Sequence, residues 1–497
     1  MATPDPSGVR SGTVVERHSI DVVPASERHG TPRSQFTLWF GANMQITAIV
    51  DGALAVTFGA DALWAILGLL IGNVLGGAVM ALHSAQGPKL GLPQMISSRA
   101  QFGVYGAIIP LVLVIFMYLG FASTGAVLAG QAVNTITGLD NGPLGILIFG
   151  VLTAVVATLG YKYIHMLGRI ATVAGLLGFS YLAIRLFAQY DVGALLNVKP
   201  FDAATFLIAI SLGAGWQLTF GPYVADYSRY LPASTAAKKT FLATFGGSVV
   251  GSQWSMTFGA LLAALPVAAG SKGFLGSQVG FLGQLGGGGA IAVFIALVVL
   301  VGKLTVNTLN AYGGFMSLLT TVSAFTRSSR IGQLGRVAYI AGFLLLSVLV
   351  AILGSVDFLG NFKNLVLLLL MVFIPWSAIN LVDYYLVSKE RVDIPALYNP
   401  DGRYGRWNKV SLISYAVGVL VQVPFVSQSL YTGPVAAAMD GTDISWLVGL
   451  VVTAGIFYPW AKRTFNPPAA SIAAVLHSDP ASDPASNPAR DSAGIQV

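Results

Sequence analysis

Apolar runs near membrane-spanning length alternate with short polar turns along most of this chain. The alternation predicts twelve transmembrane helices, at 36–58, 62–83, 105–133, 142–160, 168–188, 203–224, 240–264, 288–319, 336–355, 365–387, 410–430 and 444–461. Two of these runs are uneven. The first, QFTLWFGANMQITAIVDGALAVTFG, holds Gly41 and the polar pair Asn43 and Gln45 inside an apolar stretch. The sixth meets Gly213 and Gly215 halfway, has Trp216 immediately after, resumes at Pro222 and ends in Asp226 and Arg229. Lipid offers the backbone no partners, so a helix broken at mid-membrane must be enclosed by protein or by a water-filled cavity. The expectation is that both helices unwind at these glycines. They stand five spans apart, which predicts two five-helix repeats, 36–188 and 203–387, followed by two further helices within 410–461. Because five is odd, the second repeat inserts upside down, and a site is expected between the repeats near the midplane.

Composition supports an all-α polytopic membrane protein. Of 497 residues 55% are hydrophobic and 9% charged, against about a quarter charged in soluble domains, and mean hydropathy is +0.73. There is no cysteine, which excludes disulfides and thiolate metal sites. The net charge of +7 fits cationic loops better than a nucleic-acid surface, so no nucleic-acid partner is expected. With an even number of spans both termini share a side. The cationic side chains cluster on that side, with only Arg185, Lys199, Lys272 and Lys363 opposite and Lys303 within a span. That bias places both termini in the cytoplasm of a protein of the cell membrane. Residues 1–35 form a polar cytoplasmic segment without a signal-type apolar core, and 464–497, with its repeated DPAS, reads as a disordered tail.

Ionisable residues within the membrane are costly, and two occur here. Asp51, in the outer half of the first span, is either an acid facing water near the interface or part of a coupling site. Lys303, in the eighth, would pair with Asp51, fill a cation site with its ammonium or exchange protons. Around Lys303 lie Thr305, Asn307, Thr308, Asn310 and Tyr312, whose groups serve either interhelical bonding or a ligand. A flat heterocycle suits this set. Trp216 offers a stacking face, Phe121 a second aromatic wall, and Gln45 and Asn310 amides able to pair with a ring edge. No paired acids, metal cluster or nucleophile–base pair is legible, so an enzyme is not expected, and a continuous polar pore for a channel is also missing. The loop GPKLGLPQMISSRAQFG reads either as a structured cytoplasmic turn near an inner gate or as a plain connector.

The chain resembles the nucleobase:cation symporter-1 family, in its purine–cytosine permease branch. The resemblance is carried by ERHGTPRSQFTLWFGANMQ, by that same loop, by GWQLTFGPYVADYSRYLP, by LTVNTLNAYGG, and by NFKNLVLLLLMVFIPWSAINLVDYYLVSKE followed by YNPDGRYGRWN, in that order along residues 28–465. It implies a LeuT-like five-plus-five inverted-repeat fold with two extra helices, and alternating-access uptake of a nucleobase such as cytosine or a purine, driven by protons or sodium. Allantoin, hydantoin or a thiamine-precursor pyrimidine is the alternative cargo. It further implies that Trp216, following Gly215, stacks on the substrate, and that Gln45 and Asn310 contact it. No cofactor is implied beyond the coupling ion, and the working unit is expected to be a monomer in the bilayer. Two departures matter. Where relatives carry a tryptophan and an amide in the third span, this chain has Phe121 and Gly125. Where sodium-coupled members carry adjacent eighth-span hydroxyls, it has Thr305 and Val306. A sodium site at Gly41, Met44 and Thr305 would therefore lack one ligand, with Lys303 beside it, which favours protons.

Overall fold

A computed structural model describes residues 20–159, 161–266, 273–326 and 332–472, without side-chain detail for 158–171 and 333. The first amino-terminal arginines and the tail beyond 472 lie outside these residues. The described chain is helical, and its only β pairing is two isolated bridges.

Twelve spans follow in the expected order. The first comprises Pro32–Asn43 and Ile46–Thr57. Next come Ala62–Leu90, Ile108–Thr137, Gly142–Leu159 and Tyr161–Gln189. The sixth is Ala203–Leu218 with a short continuation, Val224–Ser228. Then come Ala237–Ala264, Gly289–Thr326, Gln333–Gly354, Phe358–Leu381, Lys409–Leu420 and Ser445–Thr464. Spans one, two, six and seven pack on one another; three, four, eight and nine form a second group. Each group thus contains a pair of spans and the pair five positions later, as two repeats require.

The first span breaks at Met44–Gln45. Met44 leaves the helical region (φ −82°, ψ 69°), Gln45 is fully extended, and Ile46 restarts the helix. The sixth span corrects the sequence reading. Its helix runs through Gly213, Gly215 and Trp216 to Leu218, and the interruption is Thr219–Tyr223. The breaker is Pro222, which lacks an N–H and whose ring would collide with the carbonyl four residues back, at Leu218, the last helical residue. The glycines are there for close packing. A Cβ at Gly213 would lie 2.7 Å from the Leu69 carbonyl oxygen, and one at Gly215 2.9 Å from a Val366 methyl of the tenth span. Gly68, Gly72 and Gly76 of the second span form the matching small-residue seam against Ala209, Ile210 and Ala214.

The loop after the second span is structured. It folds into two short helices, Gln94–Ser97 and Arg99–Phe102, all of whose residues are buried. Arg99, only 2% exposed, donates to the Leu397 and Thr320 carbonyls and to Ser323 Oγ. Burial pulls its guanidinium down to about 10, so it stays charged at neutral pH. Asp226 Oδ1 accepts from the Gln94 N–H at 2.7 Å, tying the end of the sixth span to the same loop. His83, at the end of the sequence-predicted second span, is fully buried, stacked on Trp376 and bonded to Ser377.

Candidate functional site

The first break meets the sixth-span helix through Asn43 and Trp216. Trp216 is 2% exposed, and its Nε1–H donates to Asn43 Oδ1 at 2.6 Å. Asn43 is itself held: its Nδ2 donates to the Trp39 carbonyl and Ser248 Oγ, Ser252 Oγ donates to its Oδ1, and Ser255 Oγ caps its carbonyl at 2.8 Å. Gln217 extends the network, accepting from Ser248 and donating to Ser252 and Asn73. The group on Ser255 answers one carbonyl that the unwound turn frees. Gln217, Ser248 and Ser252 were not singled out in the sequence, and Asn43 only as half of the polar pair inside the first span. Their signal was serines at helical spacing in the seventh span, Ser248, Ser252 and Ser255, on one face of an otherwise apolar helix.

With its edge bonded, Trp216 is enclosed by other aromatic rings. Phe121 stands perpendicular to it, centroids 5.9 Å apart, and Phe220 perpendicular at 5.7 Å. The third span thus brings Phe121 into contact with Trp216. Gly215 contributes no surface in this direction, since its open side faces Val366.

Beside this wall Lys303 reaches across from the eighth span. It is 3% exposed, its stem runs past Gly125, and its ammonium donates to Gln45 Oε1 at 2.7 Å and to Thr47 Oγ1. Of the three options for Lys303, pairing with Asp51 is not what the structure has: no acid lies in ion-pair contact with it among the described residues. Asp51 is fully buried, one turn beyond Thr47, and neither carboxyl oxygen has a partner among the described residues. The water-facing reading of Asp51 is therefore corrected. The adjacent Gly52 meets Met256 of the seventh span, and the helix carrying both packs against that span.

Asn310 is 8% exposed and its buried Nδ2 has no partner among the described residues. Asn307, by contrast, donates to the Ala122 carbonyl and ties spans three and eight. Met44, Gln45, Gly302 and Lys303 line a recess of about 270 Å³ that reaches Gly175 and Phe179 of the fifth span. Of the residues named for a sodium site, Thr305 donates its hydroxyl to the Val301 carbonyl and is followed by Val306, and the Gly41 carbonyl accepts from the Met44 N–H. On the other side a second recess, about 310 Å³, runs from Tyr118 and Tyr223 past Ser317 to Pro93 and Asp226 of the loop cluster.

Residues 22–449 match the family described as permeases for cytosine/purines, uracil, thiamine and allantoin. The chain belongs to this family. The permease is 37% identical over 449 residues to YxlA of Bacillus subtilis, which carries a provisional purine–cytosine permease name, covering 90% of this chain and 96% of that one. It is 27% identical to the purine-cytosine permease fcyB of Emericella nidulans, over 88% and 87% of the two chains, and 24% identical to the hydantoin permease of Microbacterium maritypicum, over 88% of each. The inward-facing structure of Mhp1, a nucleobase-cation-symport-1 transporter, superposes with a TM-score of 0.73 at 20% identity, covering 93% of this permease and 97% of Mhp1. The closed form with bromovinylhydantoin bound gives 0.69. The fold is therefore the LeuT-like transporter fold, and the permease is a membrane transporter rather than an enzyme.

Proposed function

We propose that this permease takes a neutral planar nucleobase, such as cytosine or a purine, into the cell together with a proton, by alternating access between its two helix groups. The observation that carries the substrate class is Trp216. Its Nε1–H is held by Asn43 and Phe121 meets it edge to face, so two aromatic rings from spans six and three stand together beside the first-span break, and aromatic rings recognise a flat ring by stacking. The unpartnered Asn310 amide and Gln45 supply edge recognition. Relatives named for purine and cytosine transport support the same class, and the hydantoin relative keeps a five-membered ring in view as the second reading. Proton coupling is favoured by Lys303, whose ammonium rests on neutral oxygens, and by the incomplete oxygen set at Gly41, Met44 and Thr305. We place the protein in the cell membrane with both termini in the cytoplasm, working as a monomer.

The test is uptake of labelled cytosine, adenine, uracil, allantoin and hydantoin into proteoliposomes, with proton and sodium gradients imposed separately. Accumulation of a nucleobase under a proton gradient alone is expected. Lys303→Ala should abolish that accumulation while leaving binding measurable. Accumulation driven only by sodium, or full accumulation by the alanine variant, would end the coupling assignment. Transport of none of the bases would end the substrate assignment.

A further inference from the structure

We propose that the recess of about 310 Å³ beside Tyr118 and Tyr223 is a second binding station, where the transported base rests after leaving Trp216 and before entering the cytoplasm. This rests on the nucleobase reading above but not on the coupling ion. The sixth span carries aromatic residues at 216, 220, 223 and 227, spacings of four, three and four. Turn hydrogen bonds carry the chain through the Thr219–Tyr223 interruption, and the rings stay in line. Centroids lie 5.7 Å apart from Trp216 to Phe220, 6.0 Å from Phe220 to Tyr223 and 6.4 Å from Tyr223 to Tyr227. The third span answers at two points one turn apart. Phe121 meets Trp216, and Tyr118 meets Tyr223 with centroids 5.4 Å apart. The pairing of a third-span ring with a sixth-span ring is therefore made twice, once at the central site and once at the recess.

The hydroxyls separate a binding pair from mere packing. Four other largely buried tyrosines spend theirs on carbonyls: Tyr181 on Gly286, Tyr385 on Leu82, Tyr398 on Ile20 and Tyr415 on Val372. Those of Tyr118 and Tyr223 bond to no described residue, and both side chains line the recess without being sealed from it. Gly313 of the eighth span keeps one of them open. A Cβ there would lie 2.7 Å from the Tyr118 hydroxyl oxygen, and Gly313 lines the same recess.

The two rings already touch, so a guest lies across the pair rather than between its members. Stacking on an aromatic face tolerates any base, and a hydroxyl rotates to donate or to accept. The recess thus meets a ring N–H and a ring carbonyl equally well. Met95 and Met316 add thioether walls that adapt to outlines of different size. The central site is more exacting, because its Gln45 amide is held in one orientation between Lys303 and the Ala42 carbonyl. The station should therefore bind more weakly than the Trp216 site and discriminate less between bases. Those properties suit a place from which cargo is let go.

The experiment measures equilibrium binding of labelled cytosine and adenine to the purified full-length permease in lipid nanodiscs, over a wide concentration range, with melting temperature as the check on folding. The native protein should bind in two classes, the weaker with similar affinity for both bases. Tyr118→Leu combined with Tyr223→Leu should lose the weaker class and keep the tighter one. Tyr118→Phe combined with Tyr223→Phe, which keeps the rings, should weaken the second class by about five- to tenfold, as loss of neutral hydrogen bonds does. Ser317→Leu, which fills the recess from the eighth span, should also remove the weaker class, and stands in should the leucine pair not fold. Trp216→Ala should weaken the tighter class and spare the weaker. A single class in the native protein overturns the proposal, as does a second class that none of the recess variants alters or one that disappears in Trp216→Ala. Failure of the folded native permease to bind either base overturns the nucleobase reading beneath it instead.

Discussion

Trp216 is anchored by an edge and used by a face, and the two roles separate by substitution. Trp216→Phe keeps an aromatic surface but removes the N–H bonded to Asn43. Asn43 Oδ1 still accepts from Ser252, so the loss of stability should be small, about 1 kcal/mol. Trp216→Ala also removes the stacking surface, and should weaken nucleobase binding by about 1–3 kcal/mol, the usual cost of deleting one stacked aromatic. Thermal unfolding and equilibrium binding of both variants check the pair. Equal binding by alanine and native proteins would show that the indole only packs. At this scale much was legible in the sequence, because a polar or charged group in an apolar run is conspicuous; Gln45, Lys303, Asn310 and the Trp216–Phe121 wall were all visible. Asn43 was also visible, but not as the partner of Trp216, since that contact joins residues 173 positions apart. For Asp51 the sequence left a water-facing acid and a coupling site both open, and its burial removes the first, because burial depends on which neighbours pack around a helix face and one chain position does not encode that.

At the scale of elements, the sequence showed that spans one and six are interrupted but misplaced the second break. Glycine in a membrane helix has two uses, as a point of freedom and as a place where another backbone comes close. Gly213 and Gly215 serve the second, and the helix yields to Pro222 instead. The loop after span two shows the same limit. Its structured reading was available, but the reach of Arg99 to the eighth span and to Leu397 was not. This side chain ties three segments with a charge taken out of water, so its removal leaves buried carbonyls at Thr320 and Leu397 without that donor. Arg99→Ala should destabilise the permease by about 2–3 kcal/mol. Arg99→Lys, keeping the charge but not the planar fork, should recover only part of it. Melting temperature in detergent with bound lipid is the measurement, and native-like melting of the alanine variant would remove the clamp from the account.

For the whole molecule, the two helix groups and the two membrane faces are set by separate features. Grouping comes from packing, in which spans one, two, six and seven share the glycine seam and the Asn43–Gln217 network. Sidedness comes from charge, and the fold segregates it as the sequence suggested. Lys363 lies over Phe58, Lys199 points to the Gly59 carbonyl, and Arg185 bonds Leu285, all at one end. At the other end Lys89 meets Glu390, Arg28 the Pro88 carbonyl, and Arg403 lies 3.5 Å from Asp393. The richer end should face the cytoplasm, where anionic lipid and the insertion machinery favour cations. Since the chain has no cysteine, single introduced cysteines report this directly. Ser234→Cys, exposed in the loop after span six, should resist a membrane-impermeant maleimide in intact cells and react once the cells are opened. Leu430→Cys, 86% exposed between spans eleven and twelve, should react from outside in intact cells. Both sites reacting in the reverse order would invert the topology, and with it the side to which the recess beside Tyr118 and Asp226 belongs.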